Sequence, residues 1–426
     1  MFSVREKISY QFYDDFCIII DHAKSCDYKL NREASSIFKK IVSEQKEFAP
    51  DEVEFIDQLI DAGIVSGNCE SHDQDEIEYE KKSSLNSSVW EELNEYASEN
   101  LIPISAVAEL TYSCPLNCEH CYIDRSEVKK EEEMSLSQYR GFIDQFRELG
   151  GLYLTLTGGD PFCHKDFEEI FNYARSRKIA VSVMSSGMDC NDKLIERMSQ
   201  KGVESFQLSI YGHNRDIHDS FTGKPGSFEK AVNTLKTFKR NGAYVQAAVI
   251  ITRHNIDYFD EIITFLENEE IRYVFTYNIF PKRDGDKTVQ ALNITKEQLK
   301  KCLNKTGFLG KPRLKGKKNN DPVCNTARSL FSIDPKGTVY PCVELRASSG
   351  FLKNDIFKNI WVNSEVFNNI RSIKFGDIED CPDCNLKDSC NRCSGLAWKE
   401  GFPVTGHSPE DCLHAQVRSE IKHKTF

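Results

Sequence analysis

The sequence has no long apolar run and no excess of basic residues. Its 426 residues contain no stretch of about 18 consecutive apolar residues, and the start, MFSVREKISYQFYDDF, lacks the apolar segment of a signal peptide. The net charge is −11, whereas broad nucleic-acid binding requires a basic surface. We therefore expect a cytoplasmic protein that engages neither a membrane nor a nucleic acid.

Cysteine, in contrast, is abundant. Sixteen cysteines in a reducing compartment are poor candidates for a disulfide framework. Ten of them fall into groups of the CxxC kind, so metal or cluster ligation is the leading explanation. The length exceeds the roughly 100 to 200 residues of a single domain, which predicts two or three domains.

Residues 104 to 280 repeat one pattern, in which a short apolar or β-branched run is followed by a turn and an amphipathic helix. The runs are ISAVAEL (104–110), LYLTLT (152–157), AVSVMS (180–185), SFQLSI (205–210), YVQAAVIIT (244–252) and RYVFTYNIF (272–280). Ser135 is a plausible N-cap of the first helix. Six such units predict an α/β fold in which residues 101–281 form a partial (β/α)6 barrel of the TIM type, with chemistry at the carboxyl ends of its strands.

Other segments flank the predicted barrel. Residues 1–68 predict a small α+β module, with a hairpin in YQFYDDFCIIIDHAKSCDYKL followed by two helices. Residues 69–100 are charged and serine-rich, as expected of a linker that ends in a short helix around Trp90. Residues 282–323 predict a lysine-rich bridging loop around one helix, and a solvated surface is favoured here over a patch that steers substrate. Residues 324–426 are rich in cysteine.

The stretch SCPLNCEHCY places Cys114, Cys118 and Cys121 directly after the first predicted strand. A [4Fe-4S] cluster takes one ligand per iron, so three thiolates would leave one iron open. The alternatives are a zinc site completed by His120 or a distant residue, and three unliganded thiols. The sequence GGDP (158–161) follows the second strand; alone it is an ordinary turn, but both segments should lie on one rim.

The Cx3CxxC motif followed by GGDP resembles the radical S-adenosylmethionine (SAM) superfamily. This resemblance implies that SAM chelates the open iron and is cleaved to a 5′-deoxyadenosyl radical. It further implies that the glycine turn binds SAM, with Gly159 and Asp160 holding the methionyl amine. The residues that would contact SAM are Tyr122, Gly158, Gly159, Asp160, Ser185 and Ser209. The backbone of Tyr122 would contact the adenine, and the two serines would contact the ribose and the carboxylate. Asp160 stands where the family most often has Glu.

The tail carries Cys324, Cys342, Cys381, Cys384, Cys390, Cys393 and Cys412. Two CxxC pairs could bind zinc, but together with the barrel and the turn GTVYPC they resemble the SPASM extension, which holds two auxiliary [4Fe-4S] clusters. The resemblance implies a distal cluster on Cys381, Cys384, Cys390 and Cys412, and a nearer one on Cys324, Cys342 and Cys393. The nearer cluster, one of three in all, would keep an open iron unless Cys302 or a non-cysteine group closes it.

The N-terminal module resembles the winged-helix-like peptide-recognition element of enzymes that modify ribosomal peptides, to whose sheet edge a leader peptide adds as a strand. A DNA-binding winged helix is disfavoured, because residues 1–68 contain 13 Asp and Glu against 8 Lys and Arg. The whole pattern implies a radical SAM maturase of the sactipeptide or ranthipeptide type. It would join a cysteine of a precursor peptide to a backbone or side-chain carbon, and it would use an electron donor such as flavodoxin or ferredoxin.

Other functions stay open at this point. A carbon–carbon or carbon–oxygen cross-link and a formylglycine-type oxidation use the same cofactors, although Val343 stands where sulfatase-maturing relatives have a catalytic Asp. An iron–sulfur redox sensor is the alternative outside enzymes. No catalytic residue is assigned, and the sequence does not identify the peptide, the carbon attacked, the ring topology or the oligomeric state.

Overall fold

The structure is a computed structural model that describes residues 2–67, 88–124, 126–307 and 312–422. Its strands are β1 (Ser3–Val4), β2 (Ile8–Phe12), β3 (Cys17–Asp21), β4 (Cys26–Leu30), β5 (Val65–Ser66), β6 (Ser105–Thr111), β7 (Tyr153–Gly158), β8 (Ala180–Ser185), β9 (Ser205–Ser209), β10 (Val245–Ile250), β11 (Arg272–Thr276), β12 (Leu330–Ile333), β13 (Thr338–Tyr340) and β14 (Gly350–Phe351). Most of the predicted linker, residues 69–87, lies outside the described residues.

The helices are α1 (Arg32–Val42), α2 (Pro50–Asp61), α3 (Ser88–Asn100), α4 (Leu136–Glu148), α5 (Phe167–Ser176), α6 (Asp192–Lys201), α7 (Arg215–Thr222), α8 (Ser227–Arg240), α9 (Phe259–Asn268), α10 (Lys296–Thr306), α11 (Phe357–Asn363), α12 (Glu365–Ser372), α13 (Ser394–Lys399) and α14 (Pro409–Lys422). The helix predicted around Trp90 is α3, and the helix predicted within the bridging segment is α10. The N-cap predicted at Ser135 is confirmed, because its side chain accepts a hydrogen bond from the amide of Gln138 at the start of α4. No helix in the described ranges is long and apolar enough to cross a membrane.

A nine-stranded sheet forms the centre of the molecule, in the order β11-β10-β9-β8-β7-β6-β12-β13-β14. Strands β6 to β11 are mutually parallel and neighbours in chain order, which confirms the six predicted β/α strands. The tail then continues the same sheet, since β12 pairs parallel to β6 while β13 and β14 add antiparallel. The cysteine-rich tail is therefore built onto the sheet through its β6 edge.

Alternation along the strands gives the sheet two different faces. One face carries buried apolar side chains, among them Ala106, Leu154, Val183 and Leu208, which pack against the surrounding helices in the main core. The other, which we call the inner face, bears the intervening residues of the same strands, and these are largely polar: Glu109, Thr111, Thr155, Thr157, Ser182, Gln207 and Gln246. Across it, Gln207 donates to Gln246 at 3.0 Å.

The N-terminal module contains a three-stranded antiparallel sheet in the order β2-β3-β4, so the predicted hairpin gains a third strand. The turn between β3 and β4 contains neither Gly nor Pro, the residues that usually mark a turn in a sequence. Instead the Asp21 carboxylate accepts hydrogen bonds from the amides of Ala23 and Lys24 at 2.8 and 3.1 Å, and Ser25 adopts a left-handed φ of 53°. One side of this sheet packs against α1 and α2 in a separate core.

The module lies at the amino ends of the central strands. Ile18 and Ile20 of β3 share a buried cluster with α3 and with Ile104, Leu152 and Ala180, which stand at the starts of β6, β7 and β8. A buried polar network reinforces the contact: Arg175 donates to the Ser9 hydroxyl, Ser9 lies 2.8 Å from His22 Nε2, and His22 Nδ1 lies 2.9 Å from Glu204. The module is thus fixed at the end of the sheet opposite the cysteine loop that follows β6.

Candidate functional site

The three-cysteine loop leaves the carboxyl end of β6 and is held by the end of α7. The amide of Asn117 donates to the carbonyl of Thr222 at 2.8 Å, and Gly223 ends α7 in a left-handed conformation, with φ of 64°. Cys114, Cys118 and Cys121 are each partly exposed. The thiols of Cys118 and Cys121 lie close to Tyr211, and the thiol of Cys114 lies near that of Cys163.

The GGDP turn lies directly against the start of this loop, as predicted from their positions after neighbouring strands. The amide of Gly159 donates to the carbonyl of Thr111 at 2.7 Å, and that of Asp160 to the carbonyl of Ser113 at 2.9 Å. Gly158 has a φ of +135°, and a Cβ there would lie 2.2 Å from the carbonyl oxygen of Thr111. Both positions therefore require glycine, because backbone from the adjacent strand fills the space of a side chain.

Asp160 is fully buried and points toward the end of β8. Its carboxylate accepts hydrogen bonds from the hydroxyl of Ser185 at 3.0 and 3.1 Å, from the amide and hydroxyl of Ser186 and from the amide of Phe162 at 3.1 Å. Burial raises the pKa of Asp160, and these donors oppose the rise. Asp160 and Ser185, predicted separately as SAM contacts, thus form a single hydrogen-bonded unit.

Ser209 ends β9, and its hydroxyl is within hydrogen-bond reach of the Tyr211 phenol. Tyr211 was not predicted from the sequence, yet it is 4% exposed and its hydroxyl also reaches the thiol of Cys118. Its ring stacks on Phe221 at 4.3 Å and lies 5.2 Å from His120. The sequence SIYG could have indicated that Tyr211 belongs to the site, because this residue lies two positions beyond the predicted Ser209 at the same strand end.

The tail thiols form two groups. Cys324, Cys342 and Cys393, the near thiol group, lie close enough to act on one another's ionisation: burial, then the thiol of Cys393, raises the pKa of Cys342 to about 12. Burial likewise raises the pKa of Cys393, with Cys324 nearby. Metal binding would release these protons, because only the thiolate is a ligand.

Cys381, Cys384, Cys390 and Cys412 form the distal thiol group. Burial raises the pKa of Cys390 to about 12, and the neighbouring thiols of Cys412 and Cys381 add to the rise. Burial raises the pKa of Cys412 as well, with Cys384 the next contributor. The assignment of these thiols to one cluster with three ligands and one with four stays a prediction from the resemblance.

Cys302 lies away from both groups. It is fully buried in the core beside the sheet, and the groups that affect its ionisation are Lys301 and Asp260. Among the described residues, no three His, Cys, Asp or Glu side chains converge closely enough to hold a single metal ion.

Buried charges lie on the inner face between the cysteine loop and the near thiol group. Glu109, 1% exposed, accepts hydrogen bonds from Arg283, from Arg346 at 2.9 Å and from the Tyr112 hydroxyl at 3.1 Å. The guanidinium of Arg283 also lies 5.0 Å from the ring of Tyr122. Sequence reasoning missed this cluster, because its members come from three distant segments.

Lys399 also lies near the Tyr122 ring, with its ammonium 5.5 Å from the ring centroid. It pairs with Glu344 at 2.5 Å. Glu344 follows Val343, the position at which a catalytic carboxylate was expected in sulfatase-maturing relatives. Glu344 is thus held in an ion pair with a buried lysine side chain.

Comparison with known proteins agrees with this geometry. The Radical SAM superfamily model matches residues 108–266, and the SPASM iron–sulfur cluster-binding domain model matches residues 324–385. The mycofactocin maturase MftC of Mycolicibacterium smegmatis is 28% identical over 72% of this chain and 82% of its own. An AdoMet-dependent heme synthase of Oleidesulfovibrio alaskensis is 26% identical over 72% of this chain and 85% of its own.

Among solved structures, SuiB of Streptococcus suis bound to its precursor peptide SuiA matches with a TM-score of 0.63 at 14% identity, over 96% of this chain and all of that one. At this identity the match shows the fold. Together with the matched family models, it establishes that the chain carries a radical SAM domain followed by a SPASM domain. These domains imply SAM and iron–sulfur clusters as cofactors.

Proposed function

We propose that the protein is a radical SAM peptide maturase that forms thioether cross-links in a ribosomally made precursor peptide. The observation that carries the thioether proposal is the near thiol group. It contains three thiols, and Cys302, the fourth candidate, lies in a separate part of the core. A cluster held by three protein thiolates has a coordination position for a cysteine of the substrate.

The residues present fit the cofactors. Cys114, Cys118 and Cys121 would hold one [4Fe-4S] cluster, the near thiol group a second, and the distal thiol group a third. The backbone cradle at Gly158 and Gly159, in which a Cβ would meet carbonyl oxygens at 2.2 and 2.5 Å, packs the turn directly against the start of the cysteine loop, beside which SAM would bind. Tyr122, Asp160, Ser185 and Ser209 are the residues that we propose would contact SAM there. When bound, SAM and its cluster supply an adenosyl radical that abstracts hydrogen from carbon.

The peptide would lie on the polar inner face, between the cysteine loop and the near thiol group. The chain's own contribution there is to exclude water and to position the substrate, since Glu109, Arg283 and Arg346 are all buried. Placing the reacting carbon and thiol next to each other lowers the entropic part of the barrier. For each cross-link one hydrogen atom would go to the adenosyl radical and the thiol would lose a proton, so that one electron must leave. The distal thiol group is the proposed route of this electron to a ferredoxin or flavodoxin.

The N-terminal module is the proposed leader-binding site. Its β2 edge already contacts the neighbouring domain, because the amide of Tyr10 donates to the carbonyl of Lys178 at 3.3 Å. The β4 edge, on the other side of the sheet, is therefore where we place an added leader strand. From there to the carboxyl ends of the central strands the peptide must span at least the length of β6, about 23 Å for seven residues at about 3.3 Å each.

Anaerobic reconstitution tests this function. With SAM, a reductant and a cysteine-containing peptide encoded beside its gene, we expect 5′-deoxyadenosine and a product lighter by two hydrogen atoms. The product should have lost one alkylatable thiol per cross-link. A carbon–carbon or carbon–oxygen link would leave all thiols free, whereas a redox sensor would give neither product. Iron analysis should find about twelve irons per chain, against about four if the tail bound zinc.

A further inference from the structure

Two arginines from distant segments meet beside the Tyr122 ring. Arg283 belongs to the segment after β11, and its amide donates to the carbonyl of Tyr122 at 3.3 Å. Arg346 follows Cys342 by four residues, and between them the amide of Leu345 lies 3.3 Å from the Cys342 thiol. The pair thus joins the cysteine loop to the near thiol group.

On the inner side, one carboxylate serves both guanidinium groups. Glu109 accepts from Arg283 Nη2 through one oxygen and from Arg346 Nη1 through the other. The arginine side chains are 4% and 8% exposed. Within the described residues, Nε and Nη1 of Arg283 have no hydrogen-bond partner. Leaving buried donors unsatisfied is costly, and guanidinium donors are best satisfied by carboxylate oxygens.

On the outer side, another carboxylate approaches both arginines without bonding to either, whereas the buried Asp334 approaches Arg346 alone, with its Oδ2 3.5 Å from Arg346 Nη2. Glu127 Oε2 lies 3.9 Å from Arg283 Nη1, and Glu127 Oε1 lies 3.9 Å from Arg346 Nη2. Both distances exceed those of a hydrogen bond. The Glu127 side chain is 38% exposed, so water competes with these weak pairings. A carboxylate thus occupies the position loosely and can leave it for solvent.

We propose that Arg283 and Arg346 form a carboxylate-binding subsite, in which Glu127 is replaced by a carboxylate of the bound ligand. The exchange conserves charge, since one carboxylate leaves as another enters, and it satisfies a buried donor that Glu127 does not reach. This inference rests on the proposed function, because the ligand is taken to be the peptide, through an acidic side chain near the modified residue. The methionyl carboxylate of SAM has the same chemistry and is the other source.

Equilibrium dialysis on the anaerobically reconstituted full chain tests the subsite. The probe is N-acetylglutamate N-methylamide, and the matched neutral compound is N-acetylglutamine N-methylamide. We expect the acidic probe to bind about tenfold more tightly than the neutral one. Glu127→Gln, on an exposed side chain, should tighten acidic-probe binding several-fold, because it removes the competing carboxylate. Arg283→Gln should weaken it about tenfold, and the exposed Arg32→Gln should leave it unchanged.

Equal affinity for the two probes, or acidic-probe binding that is unaffected by both Glu127→Gln and Arg283→Gln, would overturn the subsite. Saturating SAM separates the sources: loss of probe binding assigns the carboxylate to SAM and overturns its assignment to the peptide, whereas unchanged binding supports the peptide. Because dialysis needs no turnover, the test is independent of the maturase proposal. If the protein binds the probe but makes no 5′-deoxyadenosine, the subsite is supported and the proposed function is refuted.

Discussion

The backbone amide of Gly159 lies 2.7 Å from the carbonyl oxygen of Thr111, which joins the glycine turn to the strand that leads into the cysteine loop. A Cβ at position 159 would lie 2.5 Å from the carbonyl of Ser113 and 2.6 Å from that of Tyr112. These atoms belong to the backbone and cannot rotate away as a flexible side chain can, so Gly159→Ala must push the two loops apart. We expect SAM binding to weaken at least tenfold and stability to fall by about 1–3 kcal/mol, as measured by equilibrium dialysis and urea unfolding.

Gly141 provides the matched control. It lies inside α4, and a Cβ there would have no atom within 4 Å. Gly141→Ala should therefore leave SAM binding unchanged and raise stability by about 0.5–1 kcal/mol, because alanine loses less entropy in a helix. Equal effects of the two substitutions on SAM binding would contradict the role given to the cradle.

The periodic parts of the fold were predictable. The six parallel strands, the N-cap at Ser135 and the contact between the two loops follow from side-chain alternation and from the rule that parallel strands end on one edge. The grouping of the tail thiols came from resemblance and stays a prediction, since spacing alone allowed zinc.

The missed features depend on contacts between distant segments. Glu109 appeared as one polar residue in an apolar strand, and only the fold brings Arg283 and Arg346 to it. The third strand of the module was missed because its turn is set by the Asp21 side chain in place of Gly or Pro. The continuation of the sheet by β12 could not be inferred, because strand pairing over more than 200 residues leaves no local pattern.

We expect Ser185 to affect SAM binding through its hydrogen bonds to Asp160. Its hydroxyl donates to both carboxylate oxygens, and a buried carboxylate that loses a donor is destabilised. We expect Ser185→Ala to lower the free energy of unfolding by about 1–3 kcal/mol and to weaken SAM binding. Ser176→Ala, which removes an exposed hydroxyl bonded to the carbonyl of Tyr173, should do neither. Unaltered stability in Ser185→Ala would show that the hydrogen bonds to Asp160 are dispensable.

The variants Cys302→Ala and Cys324→Ala should differ sharply in iron content. Burial raises the pKa of Cys302 to about 12, and its surroundings are core residues, so Cys302→Ala should retain all iron. Cys324→Ala should lose about a third of it, corresponding to one cluster of three. Iron analysis and electron paramagnetic resonance of the reduced proteins measure this. A comparable loss in Cys302→Ala would identify that thiol as the fourth ligand and remove the open position from the thioether proposal.

His218 should make stability depend on pH below neutrality. The side chain is 1% exposed, and its Nδ1 accepts a hydrogen bond from the amide of Tyr211 at 3.2 Å. Burial lowers the pKa of His218 to about 4, although the nearby Asp219 carboxylate acts in the opposite direction. In the unfolded chain the same imidazole takes up a proton near its ordinary pKa of about 6.5. Between these two values the unfolded state binds more protons, so stability falls as the pH falls.

The expected loss from this one group is about 2 kcal/mol between pH 7.5 and pH 5. His218→Gln retains an acceptor for the Tyr211 amide but does not titrate. The variant should therefore be less sensitive to acid than the wild type by about this amount, while the two proteins share every other titrating group. Urea unfolding of the anaerobically reconstituted proteins at a series of pH values gives the comparison. Parallel stability curves would mean that His218 takes up its proton over the same pH range in the folded and unfolded protein, and hence that its environment is more polar than its burial indicates.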